Sequence, residues 1–482
     1  MAQKWLGKDI FYHSGMQQRV KDNPQNPPEC FVMLNDQFRM EKEIADVANM
    51  YYGEYGGLKS HDLSQSRIEM REQFYSWYAG NRTDHCIQLI DIGPLHSWAT
   101  GVRIFDSSSR LNFVSAIIDV DIAFRCLQTK IADYSKEKNS DEKALVLIVV
   151  PYKAQLRIIN SLIENEYKRY GFTNLGFIKA GTIHSFQGNE ADIVILDLVA
   201  DEPHWNANLF IPDNKADEKN DNYKMFNVGI TRAKFQLFVV GNLKYIQKTA
   251  SQNALSQLMD YLLKEKQLPI FSMDRIYAKI GFSPACNLQD IHENVSSHII
   301  CNAQTYKEYL IKDIQNTMDR IIIFTPDIEK EYLELLLPHF TKLISLGKSI
   351  IVITSPIYER KKKEIQAYNE IEKLLLSIGV TIIHKIRMYE KMVFIDSDIL
   401  WIGSNSPLDG SPPKGFIIHR FDSHSLLDEC ISILHIKKLL ERIVINQGLH
   451  CPNCGQEMSY CLCNSGKIYE KCEKEGTVNW II

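Results

Sequence analysis

The chain has 482 residues, a formal net charge of −4, 45% hydrophobic residues and 24% charged residues. That composition fits two or three packed globular domains and excludes a basic field over the whole surface, so any nucleic-acid binding must come from local grooves. No run of 18 apolar residues occurs, so no membrane-spanning helix is expected, and the opening MAQKWLGKDIFYH lacks the apolar centre of a signal peptide.

Residues 1 to about 60 read as helix and loop, with a polar break at KDNPQNPPE. From Ala144, ALVLIVVPY is a buried strand that stops at Pro151, and KAQLRIINSLIENEYKRYG is an amphipathic helix with Leu156, Ile159 and Leu162 on one face. ADIVILDLV, from Ala191 to Val199, is a second buried strand, PHWNANLFIPDNKADEKNDN a polar loop, MFNVGITRAK a helix and FQLFVVGN a strand. This alternation predicts an α/β unit with a parallel sheet and helices on both faces, ending near residue 265. Residues 266–297 read as a linker.

A second α/β block follows over 298–445. Its predicted strands are RIIIFTP, SIIVITSP, VTIIHK, KMVFID, ILWIGS and GFIIHRF; its helices are IEKEYLELLLPHFTKLISLG, KKKEIQAYNEIEKLLLSIG and LLDECISILHIKKLLERIV. Residues 446–482 form a small cysteine module. Cys30, Cys86, Cys126, Cys286, Cys301 and Cys430 are scattered singly, whereas Cys451, Cys454, Cys461, Cys463 and Cys472 crowd the end of the chain. Such a distribution predicts reduced, cytoplasmic thiols and one metal cluster rather than a disulfide framework.

Three segments fit one chemistry: LNDQFRM at 34–40, SFQGNEADIVIL at 185–196 and NVGITRAKFQLFVVGN at 227–242. A γ-phosphoryl group gathers charge as it is transferred, and a fixed guanidinium meets that charge in a planar fork. Arg39 and Arg232 are candidates for this task. In order and setting the three segments resemble the second RecA-like domain of superfamily 1 RNA/DNA helicases of the Upf1 and Sen1 type, over residues 1 to about 265. The resemblance implies that Arg39 and Arg232 reach the γ-phosphate of ATP held by a partner domain. It implies that Phe38 lies against the adenine, that Gln187 and Gly188 form a tight turn, and that Glu190 accepts from ribose hydroxyls. Pro151, Tyr152 and Gln155 match the family's TPYxxQ segment, where the family touches the backbone of a single strand, as it does at Thr182 and His184.

A P-loop needs G-x-x-x-x-G-K-[ST], so that successive amides face the phosphates. The nearest match is LGKS at 346–349, where Lys342 stands at the first glycine position and the order is helix then strand. The family carries its P-loop and Walker B carboxylates in the first RecA-like domain, and KWLGKDIF resembles the stretch just after that domain. The expectation is a chain that starts past it, as a fragment, a truncated gene or a split subunit, and that does not hydrolyse ATP by itself.

YEKMVFIDSDILWIGSNSPL, at 389–408, resembles the phospholipase D signature H-x-K-x4-D followed by G-S-x-N. That chemistry needs a His nucleophile, with Lys and Asn on the phosphoryl oxygens. Lys391, Asp396, Gly403 and Ser404 are in place, but Tyr389 stands at the His position and Ser406 at the Asn position, with Asn405 one place early. Tyr is a poor nucleophile near neutrality, so loss of nuclease activity is expected. Retained activity would need rescue by His384 or Tyr389 and a homodimer, because a working site of this type takes two lobes.

CPNCGQEMSYCLC and a later KC give a C-x2-C knuckle with the spacing of a zinc site. Cys451, Cys454 and Cys472 fit a topoisomerase-type zinc ribbon, with Cys461 or Cys463 to complete the tetrahedron. The order of the three parts is similar to Mokosh-type anti-phage helicase–nuclease proteins. The implied partners are single-stranded nucleic acid and a P-loop-bearing RecA-like domain, with no membrane.

Overall fold

Runs such as VLIVV and ADIVILD have no polar side, so strands made of them must be covered on both faces. The computed structural model meets that requirement twice. It describes residues 13–30, 32, 34–61, 85–104, 107–134, 145–170, 176–186, 190–202, 227–249, 258–273, 298–301, 305–411, 416–437, 451, 453–454, 458–462, 468–472, 474–475 and 478–481.

The first unit is built on six strands in the order Ile270–Ser272, Ile87–Asp91, Ala233–Gly241, Ala191–Asp197, Val146–Val150 and Ile178–Thr182. Every neighbouring pair is parallel. Side chains alternate between faces along a strand, and this divides the core. Val146, Ile148 and Val150 belong to the apolar cluster under the helices Phe113–Tyr134 and Lys153–Tyr170, while Leu147 and Val149 join Ile44 and Val47 of the helix Lys42–Tyr52.

Three expectations shift. Ile270–Ser272, placed in the linker on sequence, is the parallel edge strand beside Ile87–Asp91, so the first unit reaches at least residue 272. MFNVGITRAK is helical only over 227–230 among the described residues, and the chain is already extended from Ala233. Residues 61–143 carry no element that periodicity announces. Yet they supply the strand Ile87–Asp91, the hairpin Thr100–Ile104 with Ser107–Leu111, and the 22-residue helix Phe113–Tyr134.

The second sheet has ten strands in the order His298–Cys301, Ile418–Asp422, Ile399–Gly403, Met392–Ile395, Arg320–Phe324, Ser349–Thr354, Thr381–Lys385, Ser459–Leu462, Ile468–Lys471 and Val478–Ile481. The cysteine module therefore continues the lobe: Ser459–Leu462 pairs in parallel with Thr381–Lys385. The expected helix through residue 445 is interrupted after Ile433, where His435 has φ 58°, a left-handed value that an α-helix cannot contain; 436–437 are helical again, and 438–445 lie outside the described residues. At LGKS, Gly347 has φ 78° and ends the helix Lys330–Ser345 before the strand Ser349–Thr354. That glycine is a helix stop, the ordinary use of a left-handed residue.

One face of this sheet carries its own helices, with Leu333, Leu336, Phe340 and Leu375 over Ile321, Ile323 and Val352. The other face, through Ile322, Phe324, Ile353, Phe394 and Ile402, belongs to the same continuous cluster as the helical face of the first unit. The helix His424–Ile433 is the layer between them, burying Leu426, Leu427, Cys430 and Ile433. Each fully buried aliphatic side chain stabilises by roughly 1.5–3 kcal/mol, so the two units share a core and do not merely touch.

Candidate functional site

The segment QFRM is shaped by one side chain. Gln37 Oε1 accepts from the backbone N–H groups of Arg39 at 3.1 Å and Met40 at 2.9 Å, and Gln37 Nε2 donates to the Met40 carbonyl at 2.9 Å and to Ser60 Oγ at 2.6 Å. The turn is tied to the strand after TRAK by the Glu41 N–H on the Lys234 carbonyl at 2.9 Å. Arg39 thereby faces Glu190, with Nε donating to Oε2 at 2.9 Å, and its Nη1 lies 3.5 Å from the Thr231 carbonyl.

Arg232 is the neighbour on the other side of Thr231. Its Nε donates to the Val228 carbonyl at 2.9 Å and its Nη2 to Thr231 Oγ1 at 3.2 Å. Burial, and then the Arg39 charge, pull the Arg232 guanidinium below its ordinary value, against Tyr52 and Glu190. Lys234 Nζ sits 3.6 Å from Glu190 and 3.4 Å from Asp192. Three cations thus share two carboxylates, and the surplus positive charge suits a polyanion. Phe38 is 67% exposed and stacks on His61, with ring centroids 4.5 Å apart and 13° between planes. Gln187 and Gly188 lie outside the described residues.

The segment Pro151–Gln155 lies at the opposite end of the strands, past the C-terminus of Val146–Val150. Val150 and Thr182 are in register at the C-terminal ends of adjacent parallel strands, the end of an open α/β sheet where ligands bind. Glu190 precedes the N-terminal end of the neighbouring strand. Gly181 permits the first bend, since a Cβ there would meet Ser185 Oγ at 2.5 Å and the Phe186 ring at 2.7 Å. Pro151, Tyr152 and Thr182 are half-buried at this end, and His184 is in the short 3-10 turn Ile183–Phe186. Burial pushes the Tyr152 phenol up, against the Arg110 charge 5.8 Å from its ring centroid.

Gln155 departs from its expected role as a strand contact. Its side chain is 0% exposed, so no strand can touch it. Its Oε1 accepts from Asn112 N–H at 2.8 Å, and its Nε2 donates to the Asn112 carbonyl at 3.0 Å, Ser115 Oγ at 2.9 Å and Asp197 Oδ2 at 2.7 Å. It organises the turn beneath Tyr152.

Around it lies an acidic network that sequence reasoning missed. Burial, and then the Asp197 charge, push Asp119 well above the usual carboxylate range. Asp201 is pushed up to about 6 by burial, against hydrogen bonds from Ser97, Asn242, the Glu202 N–H and Asn112. The signal available was SRLN at 109–112: Asn112 Oδ1 accepts from the Ser115 N–H at 3.1 Å, a helix N-cap.

In the C-terminal lobe, the signature residues do not converge. Lys391 and Asp396 stand at opposite ends of the strand Met392–Ile395. Asp396, with φ 52°, accepts from the backbone N–H groups of Met318 at 2.8 Å, Asp319 at 2.7 Å and Arg320 at 3.0 Å, so its role is to cap a turn. Lys391 Nζ donates to the Ser404 carbonyl at 2.8 Å. Burial pulls its ammonium down, against the charges of Asp327, Asp409 and Asp201. Burial, and then the Glu359 charge, push the Tyr389 phenol up, which makes it a still poorer nucleophile. His384 is bound to Glu372 at 2.9 Å, and His419 to His298 at 2.9 Å. Gly403 is demanded by packing, because a Cβ there would meet Ile418 at 2.5 Å.

The sulfurs of Cys451, Cys454 and Cys472 lie within 4.8 Å of one another, with Cys454 and Cys472 3.5 Å apart. Thiolates about 2.3 Å from a tetrahedral zinc ion stand roughly 3.8 Å from each other, so these three fit a zinc site. Burial pushes the Cys451 thiol up, but the Asn453 and Cys454 N–H groups and the Cys472 and Cys454 thiols outweigh this and hold it at about 7. Cys461 is outside this trio: it is fully buried within the strand Ser459–Leu462, in register with His384 and Tyr469. Cys463 lies outside the described residues. The nine described cysteines are all free thiols.

Residues 12–244 match the AAA domain family. Within this region fall Arg39, Glu190 and Arg232, the residues gathered around Thr231. The DNA polymerase alpha-associated DNA helicase A of Saccharomyces cerevisiae is 30% identical over 105 residues, covering 22% of this chain and 13% of the relative. The DNA replication ATP-dependent helicase/nuclease DNA2 of Homo sapiens is 27% identical over 119 residues, covering 25% of this chain and 9% of the relative. The chain thus spans only a small part of the curated relatives it matches. Among solved structures, NucT from Helicobacter pylori aligns with a TM-score of 0.24 and 15% identity, over 30% of this chain and 95% of that one. Nuc from Salmonella typhimurium, a phospholipase D family member, aligns with a TM-score of 0.23 and 9% identity, over 34% of this chain and 96% of that one. Among the described residues no helix is long and apolar enough to cross a membrane.

Proposed function

We propose that the AAA domain region is the second half of a nucleic-acid-dependent ATPase of the helicase type, placing two arginines on a triphosphate whose phosphate-cradling loop another domain supplies. The observation that carries this reading is the meeting of Arg39 and Arg232 on either side of Thr231, three segments far apart in sequence converging on one cationic cleft. Glu190 holds Arg39 in place until the phosphates arrive, and Phe38 offers an open aromatic face for the base. Pro151, Tyr152 and Thr182 contact the single strand at the opposite end, and Gln155 fixes that end from beneath. The 482 residues contain no G-x-x-x-x-G-K-[ST], so turnover needs a P-loop-bearing RecA-like domain in cis or in trans.

The phospholipase D-like lobe is a non-catalytic extension in this reading. Tyr389, the inward hydrogen bond of Lys391 and the capping role of Asp396 all support that over a dimeric nuclease. The zinc module stiffens the end of the lobe, and Cys451, Cys454 and Cys472 hold the ion. The role in anti-phage defence follows from the order of parts. The test is ATP hydrolysis by the chain mixed with a P-loop-bearing first domain, with and without single-stranded RNA or DNA. Turnover should need both components and the strand. Turnover that survives Arg39→Ala together with Arg232→Ala would overturn the reading.

A further inference from the structure

The signature at 389–408, read here as non-catalytic, is tied by buried polar contacts to a distant part of the chain. Glu390 is 1% exposed and pairs with Lys385 at 2.7 Å. Its Oε1 also accepts from Thr100 Oγ1 at 2.6 Å, and the Gly403 carbonyl accepts from Trp98 Nε1 at 2.8 Å. Both donors belong to the first unit, 290 and 305 positions earlier in the chain. Losing the Thr100 bond would leave this buried carboxylate oxygen with Lys385 as its one remaining side-chain donor among the bonds described.

The same short piece of chain holds the nucleic-acid end with its other strand. Thr100 pairs with Leu111 and Gly101 with Arg110 across the hairpin. From that second strand Ser109 Oγ accepts from the Ala154 N–H at 3.0 Å, Arg110 lies over the Tyr152 ring, and Asn112 exchanges two hydrogen bonds with Gln155. Asp201 joins the two ends, accepting from Ser97 on one side and Asn112 on the other while its charge faces Lys391. Residues 97–112 therefore grip the segment Pro151–Gln155 with one strand and the signature with the other.

We propose that the degenerate signature serves as an internal socket for this hairpin, through which a strand occupying Pro151 and Tyr152 is felt in the C-terminal lobe. The coupling rests on the nucleic-acid reading of that end; the socket itself does not. A strand on Tyr152 restrains Arg110 and the Ala154 amide, the hairpin moves as a unit because its two strands are hydrogen-bonded, and Trp98 and Thr100 carry the change to Gly403 and Glu390.

Hydrogen–deuterium exchange on the full chain tests both parts. In the first arm, without nucleic acid, Thr100→Val removes one donor at near-constant volume, and Trp98→Phe removes the other while keeping an aromatic, smaller ring. They should speed exchange across 385–405 by about tenfold, while Thr100→Ser, which keeps the hydroxyl, should not. Unchanged exchange in both variants would overturn the socket. In the second arm, a 20-nucleotide oligo-dT or oligo-U is added. Wild type should gain protection at 97–112 and at 385–405 together, whereas Thr100→Val should gain it at 97–112 alone. A response at 385–405 that persists in Thr100→Val, or that is missing in strand-bound wild type, overturns the coupling. Absence of binding by either oligonucleotide overturns the nucleic-acid reading and the coupling with it, and leaves the first arm to decide the socket.

Discussion

Arg39 Nε donates to Glu190 Oε2 at 2.9 Å, across 151 positions of sequence. The bond keeps one guanidinium aimed into a cleft where a second, Arg232, would otherwise repel it. Arginines set to meet charge on a transferring phosphoryl group are worth about 10³–10⁵ in turnover. With a P-loop-bearing domain supplied, Arg232→Ala should therefore lower ATP turnover by at least about 10³-fold. Affinity for a single-stranded oligonucleotide should stay within about twofold, because Arg232 lies at the other end of the strands. Steady-state ATPase assays and fluorescence anisotropy on the same preparations separate the two effects.

Gln155 is expected to matter for stability and not as a contact. Gln155→Ala strips the buried Asn112 N–H of its Gln155 acceptor, while Asp197 Oδ2 keeps Ser115 Oγ and the Asn112 carbonyl keeps the Ala116 N–H. An unsatisfied buried group costs about 1–3 kcal/mol, so the variant should lose about 1–3 kcal/mol in urea denaturation. Strand affinity measured well below the unfolding midpoint should change little. A large affinity loss in a chain of unchanged stability would contradict the buried placement.

The parts of this fold that sequence reveals are those whose chemistry is local. VLIVV and ADIVILD can only be covered strands, and the Gly347 stop follows from a helical period that ends in LGKS. The hairpin TGVRIFDSSSRL was not legible, because its strands are defined by what they touch, Glu390 and the head of the helix Lys153–Tyr170, and not by alternation. Arg39, Glu190 and Arg232 were legible as a set through their motifs, and the fold brings them together. Lys391 and Asp396 were legible as a pair by spacing, but four intervening strand residues put them at opposite ends, a separation that spacing alone does not weigh. Gln155 was misplaced because a motif position says nothing about whether a side chain points to solvent, and Cys461 because spacing does not reveal that its strand sets it outside the sulfur trio.

Asp201 gives the chain a pH-dependent component of stability. Its folded value of about 6 lies above the ordinary 3.8, so the native state binds the proton more tightly between those limits. The contribution is complete below about pH 4 and is lost as pH rises through 6; with each unit worth 1.36 kcal/mol, it amounts to about 3 kcal/mol. Urea denaturation of wild type at pH 4.5 and 7 should carry this slope. Asp201→Asn, whatever its constant cost, should flatten it.

Lys391 should be dispensable for cleavage and mildly unfavourable for folding. Its ammonium is pulled down by burial, so stability rises with pH as the amine sheds its proton. Lys391→Met fills the same space without the charge and should raise stability by about 1 kcal/mol at pH 7. Degradation of labelled single strands should be equally absent before and after. Cleavage by wild type that Lys391→Met abolishes would restore a catalytic site to the lobe.

Three cysteines near the end of the chain could hold a metal ion. Cys451, Cys454 and Cys472 gather within 4.8 Å, and the strand Ser459–Leu462 between them is the one that extends the lobe's sheet beside Thr381–Lys385. An ion held there clamps both ends of a segment that hydrogen-bonds to the lobe, so its loss should reach beyond the tail. The purified chain should carry one zinc per molecule by elemental analysis, and Cys454→Ser should lose it. Because metal binding free energy is folding free energy in such modules, the variant should also expose Thr381–Lys385 to faster hydrogen exchange. The sheet Ile87–Asp91 to Ile178–Thr182 should keep its protection. Zinc loss that leaves Thr381–Lys385 protected would show the strand pairing to be independent of the ion.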